Sequence, residues 1–196
     1  MTTTDHDDTP GIADGRLVDE LSTSTLLSAE EFKAAFRNHP AGVAVITADP
    51  GDGPVALTAT SVFSVSATPP LLVFSVSELS SAAPAITRST SVVVHLLGAD
   101  QLGLARLCAT SGVDRFAGGW AWERLGTGEP RFLAAPDWIR GTVVTTLQAG
   151  TSTLVVVNAT HSSGSADESD RTDGRGARPL VYHNRTWHEL SERSAV

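Results

Sequence analysis

The hydrophobic pattern of the chain begins late. Residues 1–25 carry Asp, Thr, Ser and Gly with no apolar period, which predicts a disordered acidic tail. Order is expected from Ser28-Ala29-Glu30-Glu31, where a serine followed three residues later by a glutamate forms a capping box. The helix it opens carries Phe32, Ala35 and Phe36 and should stop at His39-Pro40, because the residue before a proline resists helix. Short runs rich in Val, Leu and Thr follow at 43–48, 55–59, 71–76, 92–97, 142–147, 153–159 and 180–183, each bounded by Gly, Pro or Asp. Two helical stretches interrupt them. One is 80–89, with Ser80 as N-cap and Pro84 at the fourth helical position; the other is 100–109, with Leu104, Leu107 and Cys108 turned inward. Residues 162–177 are polar and glycine-rich and read as a surface loop. Strands do not alternate regularly with helices. The pattern therefore predicts one mainly-β domain over 26–190, an antiparallel barrel or sandwich with a few peripheral helices, and a short tail at 191–196.

Charge narrows the partners. The 196 residues carry a net charge of -8, yet residues 1–31 alone hold eight acids and one base, while residues 32–160 hold eight of each. A neutral body has no electrostatic footprint for nucleic acid or an anionic membrane, so neither is expected as a partner. The start of the chain lacks the basic and apolar regions of a signal peptide, and a cytoplasmic protein is expected. The uncharged run 53–77 is long enough to span a bilayer, but Pro54, Pro69, Pro70 and its many hydroxyls make it strands and turns. A single cysteine, Cys108, excludes an internal disulfide and reads as a packed, inert thiol.

Several common chemistries are missing. Gly126-Thr127-Gly128 lacks the third glycine of a dinucleotide fingerprint and runs into Glu129-Pro130. There is no Gly-x-Ser-x-Gly elbow, and the six histidines show no metal-binding spacing. His183 and His188, five apart, would face opposite sides of a single strand. His95 interrupts an apolar strand and reads as a core histidine satisfied by a backbone group.

The stretch richest in chemistry is Thr58-Ala59-Thr60-Ser61-Val62-Phe63-Ser64-Val65-Ser66, followed by Pro69-Pro70-Leu71. Five hydroxyls in nine residues, with free backbone N–H groups in a turn, suit a phosphate and a polyhydroxyl chain; equally, Ser and Thr are ordinary turn and cap residues. A second pair, Ser80-Ser81, sits at an expected helix N-terminus.

In order along the chain these segments resemble the flavin reductase-like family, whose fold is the FMN-binding split barrel. Phe36-Arg37 with Pro40-Ala41-Gly42-Val43-Ala44-Val45-Ile46-Thr47 is similar to its opening strand, and the hydroxyl-rich segment 57–66 with Pro69-Pro70-Leu71 is similar to its flavin-binding segment. Ser80 stands at a flavin-phosphate position, Val93-Val94-His95-Leu96-Leu97 resembles a core strand, and Asp114-Arg115-Phe116 with Trp120 resembles a loop near the flavin. Pro179-Leu180-Val181-Tyr182 and Arg185-Thr186-Trp187 resemble the closing strand.

The resemblance implies a homodimer that binds FMN or FAD near the subunit interface, reduces it with NADH or NADPH, and hands reduced flavin to a partner monooxygenase. It implies that Thr58, Ala59, Thr60, Ser61, Ser64, Val65, Ser66, Ser80 and Ser81 hold the flavin, that Gly150, Thr151 and Ser152 lie on the nicotinamide side, and that Phe116 or Trp187 covers the ring. Hydride chemistry belongs to the cofactors, so the absence of a catalytic triad or a metal cluster fits. Some positions depart from the family. Ala82 replaces a phosphate-binding threonine, and Ser152 stands where the family usually has a histidine beside the nicotinamide. A serine can neither stack on a ring nor become cationic. The alternative reading is therefore a flavin-binding carrier or repurposed redox protein that does not use nicotinamide; for the reductase reading, His95 and His183 are the histidines available to stand in for the missing one.

Overall fold

The structure, a computed structural model, describes residues 26–163 and 178–195. The expected acidic tail at 1–25 and most of the loop at 162–177 lie outside the described residues. In chain order the elements are α1 (Ala29–Arg37), β1 (Ala41–Gly42), β2 (Ala44–Ala48), β3 (Val55–Ala59), β4 (Phe63–Ala67), β5 (Pro70–Ser77), α2 (Ala83–Arg88), β6 (Ser91–Leu96), α3 (Leu102–Ala109), β7 (Trp122–Arg124), β8 (Pro130–Phe132), β9 (Trp138–Ala149), β10 (Ser152–Ser162), β11 (Leu180–His183) and β12 (Thr186–Glu189). Seven strands form one antiparallel sheet in the order β3-β2-β6-β9-β10-β5-β4, with small sheets β1-β11-β12 and β7-β8 beside it.

Strand β2 explains the layering. All five of its residues are buried, which requires cover on both faces. Ala44, Ile46 and Ala48 point into a core with Leu57, Phe74, Ile86, Val92, Val94, Val155 and Val157. Val45 points the other way, into a second core with Leu104, Ala105, Cys108, Phe132 and Leu180. The first core fills the barrel; the second glues α3 and the β7-β8 hairpin to its outside. Strand β9 passes close to β10 at Gly141, where a Cβ would lie 2.4 Å from Val157 Cγ1 and 2.6 Å from the Asn158 carbonyl oxygen. Only glycine fits that crossing.

Most expected elements are present. The capping box forms as read: the Ser28 side chain accepts from Glu31 N–H, and the Glu31 carboxylate accepts from Ser28 N–H at 2.9 Å. Strands 55–59 and 180–183 match the sequence reading. The helix expected at 80–89 is shorter and starts later, at Ala83 with Ala82 as its N-cap, so Ser80 does not cap it. Pro84 is the reason: it sits in the first turn, where a proline belongs, rather than at the fourth position. The stretch at 100–109 begins as a 3₁₀ turn at Ala99–Gln101 before α3. His183 and His188 do not share a strand. They lie on β11 and β12 of one hairpin with rings 5.7 Å apart.

His95 and Cys108 are core residues, as expected. His95 Nδ1 donates to the Val45 carbonyl at 3.0 Å, and its Nε2 accepts from Phe132 N–H at 3.1 Å. That pairing fixes one neutral tautomer, and burial pushes the ring pKa down to about 4. Burial likewise pushes the Cys108 thiol up to about 12, so it is not a nucleophile at neutral pH.

Candidate active site

The chain passes from β3 to β4 through Thr60-Ser61-Val62, and Ser61 decides how. Its hydroxyl donates to the Ser75 carbonyl at 3.2 Å and accepts from Ser75 N–H at 3.0 Å. The side chain thus continues the β4–β5 ladder past Phe63, where the backbone has already turned away. Among the described residues the amides of Ser61 and Val62 donate to no backbone carbonyl, so they remain free to face a ligand.

These residues form one wall of a cavity of about 810 Å³. Phe32 and Phe36 of α1, with rings 4.8 Å apart, form a second wall; Tyr182, Asn184 and Arg185 of the β11-β12 hairpin form a third. Lys33, Arg37 and His39 line it as well. The volume lies in the range of cofactor sites, roughly 300–1,000 Å³. Its chemistry is that of a planar aromatic ligand carrying negative charge: aromatic faces, free amides, hydroxyls and cations. A flavin matches each of these features.

The expected site residues fall into three groups. Thr60 and Ser61 line the cavity. A second group lies at the adjoining end of the sheet, where Ser152 pairs with Ser77 and Glu78 N–H donates to the Thr151 carbonyl at 3.1 Å. This brings the Ser80-Ser81 turn together with Gly150, Thr151 and Ser152. Ser75 and Ser77, two apart on one face of β5, connect this group to Ser61. The third group is spread out. Thr58 donates to the Ala105 carbonyl at 2.6 Å and so ties β3 to α3, while Ala59 is buried in the barrel. Ser64, Val65 and Ser66 sit at a bulge on edge strand β4, with Val65 exposed. Phe116 stacks on Phe132 at 5.0 Å, and Trp187 packs on Tyr182 at 4.8 Å.

The sequence reading did not single out Phe32, Lys33, His39, Tyr182, Asn184 or Arg185 as site residues. Of the two histidines considered as stand-ins, His95 has both ring nitrogens occupied. His39 is the histidine that lines the cavity.

A family model described as a flavin reductase like domain matches residues 36–191. The chain belongs to the flavin reductase-like family. It is 42% identical over 177 residues to an NADH:FMN oxidoreductase from Rhodococcus qingshengii, covering 89% of this chain and 88% of that protein. It is 27% identical over 171 residues to the reductase component of a 4-nitrophenol 4-monooxygenase/4-nitrocatechol 2-monooxygenase from Rhodococcus opacus, covering 87% and 91%. The crystal structure of a flavin reductase domain protein from Arthrobacter sp. FB24 superposes with a TM-score of 0.72 at 33% identity, over 83% of this chain and 95% of that one. The mainly-β, antiparallel architecture is thus the split barrel of flavin reductases, as the sequence resemblance implied. No described helix is long and apolar enough to cross a membrane. No group of three or more metal-ligating side chains occurs among the described residues.

Proposed function

We propose that this flavin reductase transfers a hydride from NADH to FMN, works as a homodimer, and passes the reduced flavin to a partner monooxygenase. The observation that carries the activity is the 42% identity to an NADH:FMN oxidoreductase over 89% of the chain. The cavity between α1, the β3-β4 connection and the β11-β12 turn is consistent with it. The name of the Rhodococcus opacus relative supports an oxygenase partner.

Two features support the homodimer. No residue of α1 is buried, and Phe32, Phe36 and Phe63 are each more than half exposed. A second copy would cover that apolar surface.

Bound flavin accepts the hydride from nicotinamide; the chain's part is to place the two rings together and exclude water. Phe63 and the Ser61 and Val62 amides would orient the ring, and Thr60 would meet its polar edge. With serine at position 152, the nicotinamide is held without an imidazole from the β9-β10 turn. That turn's own groups are partly committed, since Gln148 donates to Glu78 at 2.6 Å and to the Gly150 carbonyl at 2.9 Å.

The test is anaerobic bleaching of the visible flavin band. Purified chain with FMN should bleach on addition of NADH far faster than FMN and NADH alone. Flavin that binds without bleaching by NADH or NADPH would return the protein to the carrier reading, which the named oxidoreductase relatives now disfavour.

A further inference from the structure

The cavity gathers three cationic side chains, Lys33, Arg37 and Arg185, in a chain whose net charge is -8. Among the described residues no hydrogen bond or direct ion pair engages the side chain of Arg37 or Arg185; the Glu30 carboxylate feels both charges from a distance, and its direct contact, at 3.0 Å, is with Lys33. The two guanidiniums come from segments far apart in sequence. Those segments are held together by a backbone bond: Asn184 N–H donates to the Arg37 carbonyl at 3.0 Å, docking the β11-β12 turn onto the end of α1.

The turn itself is the second observation. Asn184 has φ 48° and Arg185 φ 61°, consecutive left-handed residues in a two-residue hairpin loop. Asn-Gly is the preferred pair there; arginine at the second position costs roughly 1 kcal/mol relative to glycine. Strain of that kind, spent on a side chain that hydrogen-bonds to nothing among the described residues yet lines a cavity, marks a residue kept for a ligand.

The other candidate for an anion is weaker. The Ser80-Ser81 turn lies beside the Glu78 carboxylate, and the Ser80 hydroxyl already accepts from Ala82 N–H at 3.4 Å. The carboxyl end of α1 would itself repel an anion, and two guanidiniums overcome that partial charge.

We propose that Arg37 and Arg185 form a clamp for a phosphate ester on the aromatic ligand of this cavity, and that Arg185 determines the preference for phosphorylated over unphosphorylated ligand. The phosphate belongs either to the flavin or to the dinucleotide. The inference rests on the cavity being the flavin reductase site described above.

Arg185→Gly is the decisive variant, because glycine relaxes the turn and leaves the fold intact. Its thermal midpoint should equal or exceed that of the wild type. Arg37→Gln is the second. Equilibrium titrations of flavin fluorescence with FMN and with riboflavin, which differ only in the phosphate, read one arm. The KM for NADH with riboflavin as acceptor reads the other. If the flavin phosphate is clamped, the Kd for FMN rises about tenfold or more in each variant while that for riboflavin stays put. If the dinucleotide phosphate is clamped, the KM for NADH rises by a similar factor and the FMN to riboflavin ratio is unchanged. Variants that match wild type in both arms overturn the clamp, even with NADH oxidation intact. Conversely, a wild type that binds FMN in an Arg185-dependent way but never oxidises NADH or NADPH refutes the reductase reading and leaves the clamp standing.

Discussion

Two regions of the molecule treat polar groups in opposite ways. Between the barrel and the β7-β8 hairpin, charge is buried and answered. Glu129, 4% exposed, accepts from Arg140 Nε and Nη2 at 3.0 and 2.7 Å, and also from the Ser91 and Thr127 hydroxyls. Arg140 also donates to Thr160 at 2.9 Å. Burial would raise the Glu129 pKa, but these donors, Arg140 foremost, hold it down to about 2. At the cavity formed by α1 and the β11-β12 turn, the Arg37 and Arg185 side chains make no hydrogen bond to a described residue, only the longer-range pull of Glu30, and the aromatic rings are half exposed. The difference teaches which polar residues serve the fold. A group whose hydrogen bonds are complete within the chain stabilises it; a group that is positioned but unpartnered is held ready for something else.

Breaking the first region should cost the most. Glu129→Ala leaves the partly buried Arg140 without its anion and is expected to lower stability by about 3 kcal/mol, read from urea denaturation. Gly141→Ala forces a methyl against the Val157 side chain and the Asn158 carbonyl, which as backbone cannot yield. A loss of about 2–3 kcal/mol should appear as a lower thermal midpoint. Acid should expose His95. Its pKa is about 4 folded and 6.5 in the unfolded chain, so the unfolded state binds more protons between those values. The stability His95 contributes is complete above pH 6.5 and falls by ~1.4 kcal/mol per pH unit through that window, a slope that His95→Gln should flatten in pH-dependent denaturation. The cavity side should respond weakly. Ser28→Ala removes a cap on an exposed helix and should cost about 0.5–1 kcal/mol, and Arg185→Gly should cost nothing in stability while changing ligand binding. A large stability loss from Arg185→Gly would erase the distinction between the two regions.

How much of this was legible depended on what each segment buries. Runs 55–59 and 180–183 carry apolar residues into a core between clear breakers, and their bounds could be read directly. Strand β4 escaped notice because its Phe63 and Val65 face outward at a sheet edge, leaving no buried stripe to detect. Strands β7 and β8 have three residues each, too few for a period. The Ser80 cap was misplaced because Pro84 suits either of two starts to the helix, and only packing of Ala83 and Ile86 selects one. The hydroxyl segment pointed to Thr60 and Ser61, but Thr58 turned out to spend its hydroxyl on α3. Arg37 and Arg185 line one cavity from 148 positions apart in sequence, which no local pattern encodes. One signal was available: an arginine after asparagine, between two strand-forming runs, where a glycine is the usual residue.

Strand β2 carries a consequence for how this protein tolerates change. With cores on both faces, Ala44 to Ala48 offers no position where a random side chain can escape to water. Randomising those five codons and selecting for folded protein should return almost only small and branched apolar residues, with Thr47 retained for its bond to the Pro130 carbonyl. The same experiment at Val144, Thr145 and Thr146, all exposed on β9, should return nearly any strand-compatible residue. Sequence drift in this barrel is channelled to exposed stretches such as the middle of β9, and β2 is where two cores meet and neither gives way.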